Sequence, residues 1–248
     1  MDNLLAFETG ADILFPPLAL GIHQPLLKEI AMIGGDKTLY GACSVLLFSK
    51  DKVEGQDKKD LEQYTDFDII MTMINENDPS AITHRINILQ LFTLLFPDYK
   101  IRVKKDCFEL EDSDGVKKEL NNQNFGAFRE ILVKMFHLED TKEEKYNPGG
   151  SLAAELAKKF EQRHKKLAEQ KGEKGATHIL DRQMSIIQAG MGIDLITLSN
   201  YTVYMLYDTF NRYRMKSEAD RISSILLAGG KIDDLPDDWM DWMKEIEY

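Results

Sequence analysis

Cysteine, histidine and clustered carboxylates are the side chains that most often carry chemistry, and this sequence holds few of them in a useful pattern. Its two cysteines, Cys43 and Cys107, stand in apolar surroundings, Ala42-Cys43-Ser44-Val45 and Cys107-Phe108. Both read as reduced, buried thiols of an intracellular protein. The histidines, at positions 23, 84, 137, 164 and 178, never pair at i, i+4, and none neighbours a cysteine. The spacing of a metal site is therefore absent. His23 stands just before Gln24-Pro25 at a strand-to-helix corner, where a local capping role fits. Asp112-Ser113-Asp114-Gly115 begins like a calcium loop, but the glycine comes two places early and position 123 is Gln rather than Glu. It reads as a β-turn. Gly34-Gly35-Asp36-Lys37-Thr38 lacks the earlier glycine and the preceding strand of a phosphate-cradling loop. No catalytic, cofactor-binding or metal-ligating residue is expected, no cofactor is implied, and the protein is expected not to be an enzyme.

Aromatic side chains supply what reactive ones do not. Residues 198–215 carry Tyr201, Tyr204, Tyr207, Phe210 and Tyr213 in a helical pattern. Val203, Leu206, Tyr207, Phe210 and Arg214 fall on one face, and Tyr201, Tyr204 and Met205 on another. A helix with two apolar faces must be sandwiched or must meet a partner, and amphipathic aromatics suit interfaces. Near the C-terminus, Trp239, Trp242, Met243 and Ile246 recur at i, i+3, i+4, i+7 within an acidic stretch. That amphipathic helix either folds onto its own body or lies in a partner's groove. The candidate partner-binding residues are thus Tyr201, Tyr204, Tyr207, Phe210, Trp239 and Trp242, with internal packing as the open alternative for each. Lys158, Lys159, Arg163, Lys165 and Lys166 make a basic helical patch offset by Glu155, Glu161 and Glu169. It reads as a solvated face or as a dock for an acidic surface.

The elements that must position these residues follow from periodicity. Residues 13–22 alternate after Pro16-Pro17 and suggest a short edge strand. Pro25 then opens a helix that Gly34-Gly35 stops, and residues 37–48 give a second helix. Asp66 looks like an N-cap for residues 67–75. Residues 80–96 form a long apolar helix, with Ile82, Ile86, Leu89, Phe92 and Phe96 on one face flanked by Ile88, Leu91 and Leu95, expected to be buried on more than one side at the centre of its domain. Residues 101–120 alternate between turns and predict an antiparallel β-meander. Residues 125–138 return to helix. The Tyr146-Asn147-Pro148-Gly149-Gly150 break precedes a charged helix at 151–170, a Gly- and Lys-rich hinge at 171–178, and further helices.

The expected fold class is α+β: a mainly helical N-terminal domain over 1–138 with a small antiparallel β-meander, a linker at 139–150, and an all-α C-terminal region over 151–248. A net charge of −11 argues against non-specific nucleic-acid binding. No apolar run reaches the roughly 18 residues of a membrane helix, and the acidic Met1-Asp2-Asn3 start lacks a signal peptide's basic region. A soluble, intracellular protein with neither nucleic-acid nor membrane partners is expected.

Several stretches resemble proteins encoded among the tail genes of long-tailed phages that infect Gram-positive bacteria. They are Ile22-His23-Gln24-Pro25 with Lys28-Glu29-Ile30 and Ile33-Gly34; Asp66-Phe67-Asp68-Ile69-Ile70; Leu94-Leu95-Phe96-Pro97-Asp98-Tyr99-Lys100; Tyr146 to Gly150; Tyr201-Thr202-Val203-Tyr204 with Leu206-Tyr207-Asp208 and Phe210; and Leu227-Ala228-Gly229-Gly230 to Trp239. The family is the tail assembly chaperones. The resemblance implies a non-enzymatic protein of the infected host's cytoplasm, absent from the finished virion. It would coat the tape-measure protein and recruit tail-tube subunits, with self-association left open. The alternative within the same context is a structural virion protein of the tail, baseplate or head–tail connector.

Overall fold

Proline placement decides the first local structure. The computed structural model describes residues 4–52, 63–138 and 179–229. After a short helix α1 (Leu4–Thr9), strand β1 (Ile13–Phe15) runs into Pro16-Pro17, which fix φ and drive a 3-10 turn over Pro16–Leu18. Ala19 takes a left-handed conformation (φ 46°) and reverses the chain into β2 (Leu20–Ile22). The single edge strand expected here is thus a two-stranded antiparallel hairpin, with Ile13 opposite Ile22 and Phe15 opposite Leu20.

Helix α2 (Leu27–Met32) follows, its start held by the Glu29 carboxylate, which accepts the Leu26 N–H at 2.8 Å. Gly34 and Gly35, both at positive φ, end it and turn the chain into α3 (Asp36–Leu46). Helix α4 (Asp66–Asn75) is capped by Thr65, whose hydroxyl accepts from the Asp68 N–H while the Asp68 carboxylate accepts from the Thr65 N–H. The expected cap, Asp66, has other work: it pairs with Arg129 at 2.9 Å, and Arg129 also donates to the Leu47 carbonyl. Thr65 and Asp66 are neighbours and both are capping residue types, so spacing alone could not separate them.

Helix α5 (Pro79–Leu95) starts on Asp78, which accepts from the Ser80 and Ala81 N–H groups. It packs against α3 and α4, and Gly41 of α3 lets it come close: a Cβ there would lie 2.7 Å from Asn87 Nδ2. Its buried face is Ala81, Ile88, Leu91, Phe92 and Leu95, while Ile82 and Ile86 are exposed. Phe92, Phe96 and the flanking Ile88, Leu91 and Leu95 are thus buried as expected, whereas Ile82 and Ile86 of the expected face are not. An almost uniformly apolar helix carries little directional signal, so only its neighbours select the inner side.

Strands β3 (Lys100–Val103), β4 (Phe108–Glu111) and β5 (Lys117–Leu120) form the meander, in antiparallel order β3-β4-β5. One face buries Phe108, Leu110 and Leu120. The other carries Arg102, Glu109, Glu111 and Lys117, and Glu109 receives Arg102 at 2.9 Å, Lys117 at 3.4 Å and Lys104 at 3.7 Å. Helix α6 (Phe125–Phe136) then closes over an aromatic core. Phe128 lies within ring-stacking distance of Phe15, Phe92, Phe96 and Phe125. Such pairs contribute about 0.5–1.5 kcal/mol each beyond their area burial.

The chain divides into two units, Met1–Leu138 with Ile196–Met205, and Glu139–Leu195 with Leu206–Tyr248. In the second, α7 (Ile179–Met191) buries Leu180, Gln183 and Ile187. Two more helices, α8 (Leu195–Ser199) and α9 (Val203–Leu227), complete the described chain. Within the second unit Gly190 of α7 meets the Tyr213 ring of α9 so closely that a Cβ at 190 would overlap it. The outer side of α9 carries the i, i+4 pairs Asp208–Arg212 and Lys216–Asp220. The fold is mixed, mostly helical with small antiparallel sheets and a helical C-terminal region. The linker at 139–150, the charged helix at 151–170, the hinge at 171–178 and the tryptophan tail lie outside the described residues.

Candidate functional site

The aromatic stretch that drew attention in the sequence is divided by a three-residue break. Helix α8 ends at Ser199, and α9 starts only at Val203. Thr202 is the reason: its hydroxyl accepts the Met205 N–H at 3.2 Å, so it acts as an N-cap. Tyr201 consequently precedes the helix and does not share a helical face with Tyr204. A Thr three residues before Met205 and next to an apolar run is a start signal that the sequence offered.

Around this break, residues 196–205 fold into the first unit. The backbone of Leu26 and Thr202 forms an isolated antiparallel bridge, and the Leu27 N–H donates to the Tyr201 carbonyl at 2.8 Å. Lys28 Nζ donates to Asn200 Oδ1 at 2.7 Å. Gly10, at φ 70°, makes room beside Thr202: a Cβ there would stand 3.2 Å from the Thr202 methyl. The Tyr204 ring stacks on Phe7 (centroids 5.3 Å apart) and on His137 (4.6 Å). His137 reaches that position because it caps α6 in the left-handed region, φ 48°. Leu198, Val203 and Tyr204 are all buried.

The predicted partner-binding residues therefore occupy different settings. Tyr204 is 4% exposed and sandwiched inside the first unit. Tyr201 is half-buried and contributes its carbonyl to the Leu27 pairing. Tyr207 and Phe210 are half-buried on the part of α9 that belongs to the second unit. Trp239 and Trp242 lie outside the described residues. Sequence reasoning missed Phe7, Leu26, Leu27 and His137 as the residues that receive this segment. They lie more than sixty positions away, and no local pattern links them to it.

Cys43, Cys107, His23 and Asp112 each take a defined setting in the first unit. Burial pushes the Cys43 thiol up to about 12, and burial also raises Cys107, aided by the nearby carboxylates of Glu119, Asp106 and Glu109. His23 is held between Asp12 (3.1 Å) and Glu29 (3.3 Å), which ties the start of the hairpin to the start of α2. Asp112 Oδ1 accepts from the N–H groups of Asp114 and Val116, so the acidic loop is a turn that uses its own carboxylate. Among the described residues, no group of three His, Cys, Asp or Glu side chains could hold a metal ion. Among them, too, no helix is long and apolar enough to cross a membrane.

Residues 171–247 match the family model described as the YomV second domain. That family derives from a Bacillus prophage, so the C-terminal part of this chain is similar to a phage-associated domain. The match covers less than half of the chain. It spans α7, α8 and α9 and includes the segment that packs on Leu26 and Leu27. No curated protein and no solved structure matches the chain.

Proposed function

We propose that this protein is a non-enzymatic tail assembly chaperone that binds the tape-measure protein and recruits tail-tube subunits in the cytoplasm of the infected host. The observation that carries the reading is the similarity of residues 171–247 to a phage-derived domain, in a chain whose motifs resemble tail-gene products along nearly its whole length. Surface character supports it. The first unit exposes Leu5, Leu14, Met32, Ile82 and Ile86, and the second exposes Ile186, Met191, Ile225, Leu226 and Leu227. Isolated exposed apolar residues are ordinary, but several on helices suit capture of an apolar helical client. Tyr207, Phe210, Trp239 and Trp242 are the aromatic anchors proposed for that contact, since anchors of this type often contribute about 2 kcal/mol or more at a hot spot.

Co-expression with the tape-measure and tail-tube proteins, followed by pull-down, tests the reading directly. Capture of the tape-measure protein is expected, and its failure to co-purify would defeat the proposal. Mass spectrometry of purified virions separates the chaperone from a structural tail, baseplate or connector component, since only the latter stays in the particle. Replacing Trp239 and Trp242 together by Ala should weaken client capture while circular dichroism stays unchanged. If helical signal is lost in step with binding, the tryptophans are packing residues and not anchors.

A further inference from the structure

Strand β3 is an edge of the meander, and the turn beside it fixes its hydrogen-bonding phase. The Lys104 N–H donates to the Cys107 carbonyl at 2.9 Å, so these two residues form a hydrogen-bonded pair. Such pairs alternate along an antiparallel ladder. Lys100 and Arg102 therefore direct their backbone groups toward Glu111 and Glu109 of β4, whereas the N–H and C=O groups of Ile101 and Val103 point away from it. Among the described residues nothing pairs with those outward groups. The opposite edge differs: β5 lies against the Pro16–Leu18 turn, and Lys118 Nζ donates to the Ala19 carbonyl at 3.0 Å.

Side chains decide what the open edge admits. Lys100, Arg102 and Lys104 fall at alternate positions along β3 and its turn, a cationic column beside Glu109 and Glu111 of β4. Lys100 and Lys104 are exposed, and Ile101 and Val103 are half-buried on the inner face. We propose that this edge docks an acidic, extended segment of a partner protein, which adds a fourth antiparallel strand by pairing with Ile101 and Val103. The chemistry of the segment follows from the column. Carboxylates at alternate positions lie beside Lys100, Arg102 and Lys104 and place the cations between two acidic columns. Apolar residues between those carboxylates meet Ile101 and Val103 on the inner face. Edge lysines ordinarily keep strands from pairing indiscriminately. Here they also exclude a second copy: two β3 edges joined antiparallel would set Lys100 against Lys104 and Arg102 against Arg102, and like charges directly opposite destabilise. A strand carrying acids converts that repulsion into attraction, while the backbone pairing supplies affinity. The proposal rests on none of the aromatic anchors assigned to the tape-measure client.

The test uses the full chain and three end-capped synthetic peptides. One alternates Glu with Val, one alternates Lys with Val, and one is the Glu–Val peptide N-methylated at every Val, the residues whose N–H groups face β3. The Glu–Val peptide should bind, more weakly as salt rises, and at saturation the Ile101 and Val103 amides should exchange about tenfold more slowly than in the free chain. N-methylation should weaken binding about tenfold or more, because it removes the pairing donors and leaves the charges in place. Lys100→Glu with Lys104→Glu should lose the Glu–Val peptide and take up the Lys–Val peptide with circular dichroism unchanged, an exchange of preference that a merely structural role would not produce. Failure of the Glu–Val peptide to bind, binding without slowed exchange at Ile101 and Val103, or equal binding of the N-methylated peptide would each overturn the proposal. Slow exchange at both amides with a dimer mass in the absence of peptide would overturn it in favour of a second copy.

Discussion

At the scale of single residues, Tyr204 shows how an aromatic side chain that looks available in the sequence becomes part of a core. Stacked between Phe7 and His137, it fills a space that the surrounding chain cannot close. Tyr204→Ala should therefore destabilise the first unit by roughly 3 kcal/mol, read as a fall in urea midpoint, against about 1 kcal/mol for Tyr201→Ala. Glu109 makes the second residue-scale case. The hydrogen bond from Arg102, with help from Lys104 and Lys117, holds its carboxyl below the usual carboxylate range. A carboxylate depressed in the folded state contributes stability above its unfolded pKa, about 4.3, and that contribution is lost as pH falls through the folded value. Wild-type protein should thus lose urea resistance on acidification more steeply than Glu109→Gln, with the two curves converging at low pH. Parallel curves would mean that the pairing adds nothing.

At the scale of elements, two close approaches decide how helices meet. Gly41 brings α3 against Asn87 of α5, and Gly190 brings α7 against Tyr213 of α9. At Gly190 the neighbour is the far end of a flexible ring, so the ring and not the backbone must yield. Gly190→Ala gains helix propensity but displaces Tyr213, with a net cost of about 1–3 kcal/mol. Adding Tyr213→Ala should recover part of that loss, a coupling that a double-mutant cycle in thermal unfolding would reveal. Additive effects would show that the contact is not made. The start of α9 offers a parallel test. Thr202→Ala removes the N-cap and should cost about 1 kcal/mol, and the same change in the absence of a cap would cost only a few tenths.

At the scale of the whole molecule, the path of the chain matters more than any one contact. Residues 1–138 and 196–205 share a unit although the chain between them belongs elsewhere. Limited proteolysis should cut at 139–150 or 171–178, where the sequence crowds charge and glycine. Because residues 196–205 remain seated on Leu26, Leu27 and Tyr204's two ring partners, the nicked fragments should co-elute in gel filtration under native conditions. Fragments that separate without denaturant would show that the seat is too weak to hold them. First cleavage within α5 would contradict the domain plan altogether.

Periodicity and turn chemistry, which are local, were enough to read most of the elements. The meander over 100–120, the glycine stop at Gly34-Gly35 and the helix at 125–136 each rest on residues a few positions apart, so the sequence by itself determined them. It also determined a mixed, mostly helical fold and the burial of Cys43 and Cys107. Other features needed partners distant in the chain. The inner face of α5 was decided by α3 and α4, because an almost uniformly apolar helix fits either way round. Asp66 was drawn from capping to Arg129, sixty-three positions away. Tyr204 became internal because Phe7 and His137, from the two ends of the first unit, converge on it. Side-chain spacing shows which residues share a face, but only tertiary packing determines what that face meets, since the free energy of burial depends on the neighbour and not on the stripe alone.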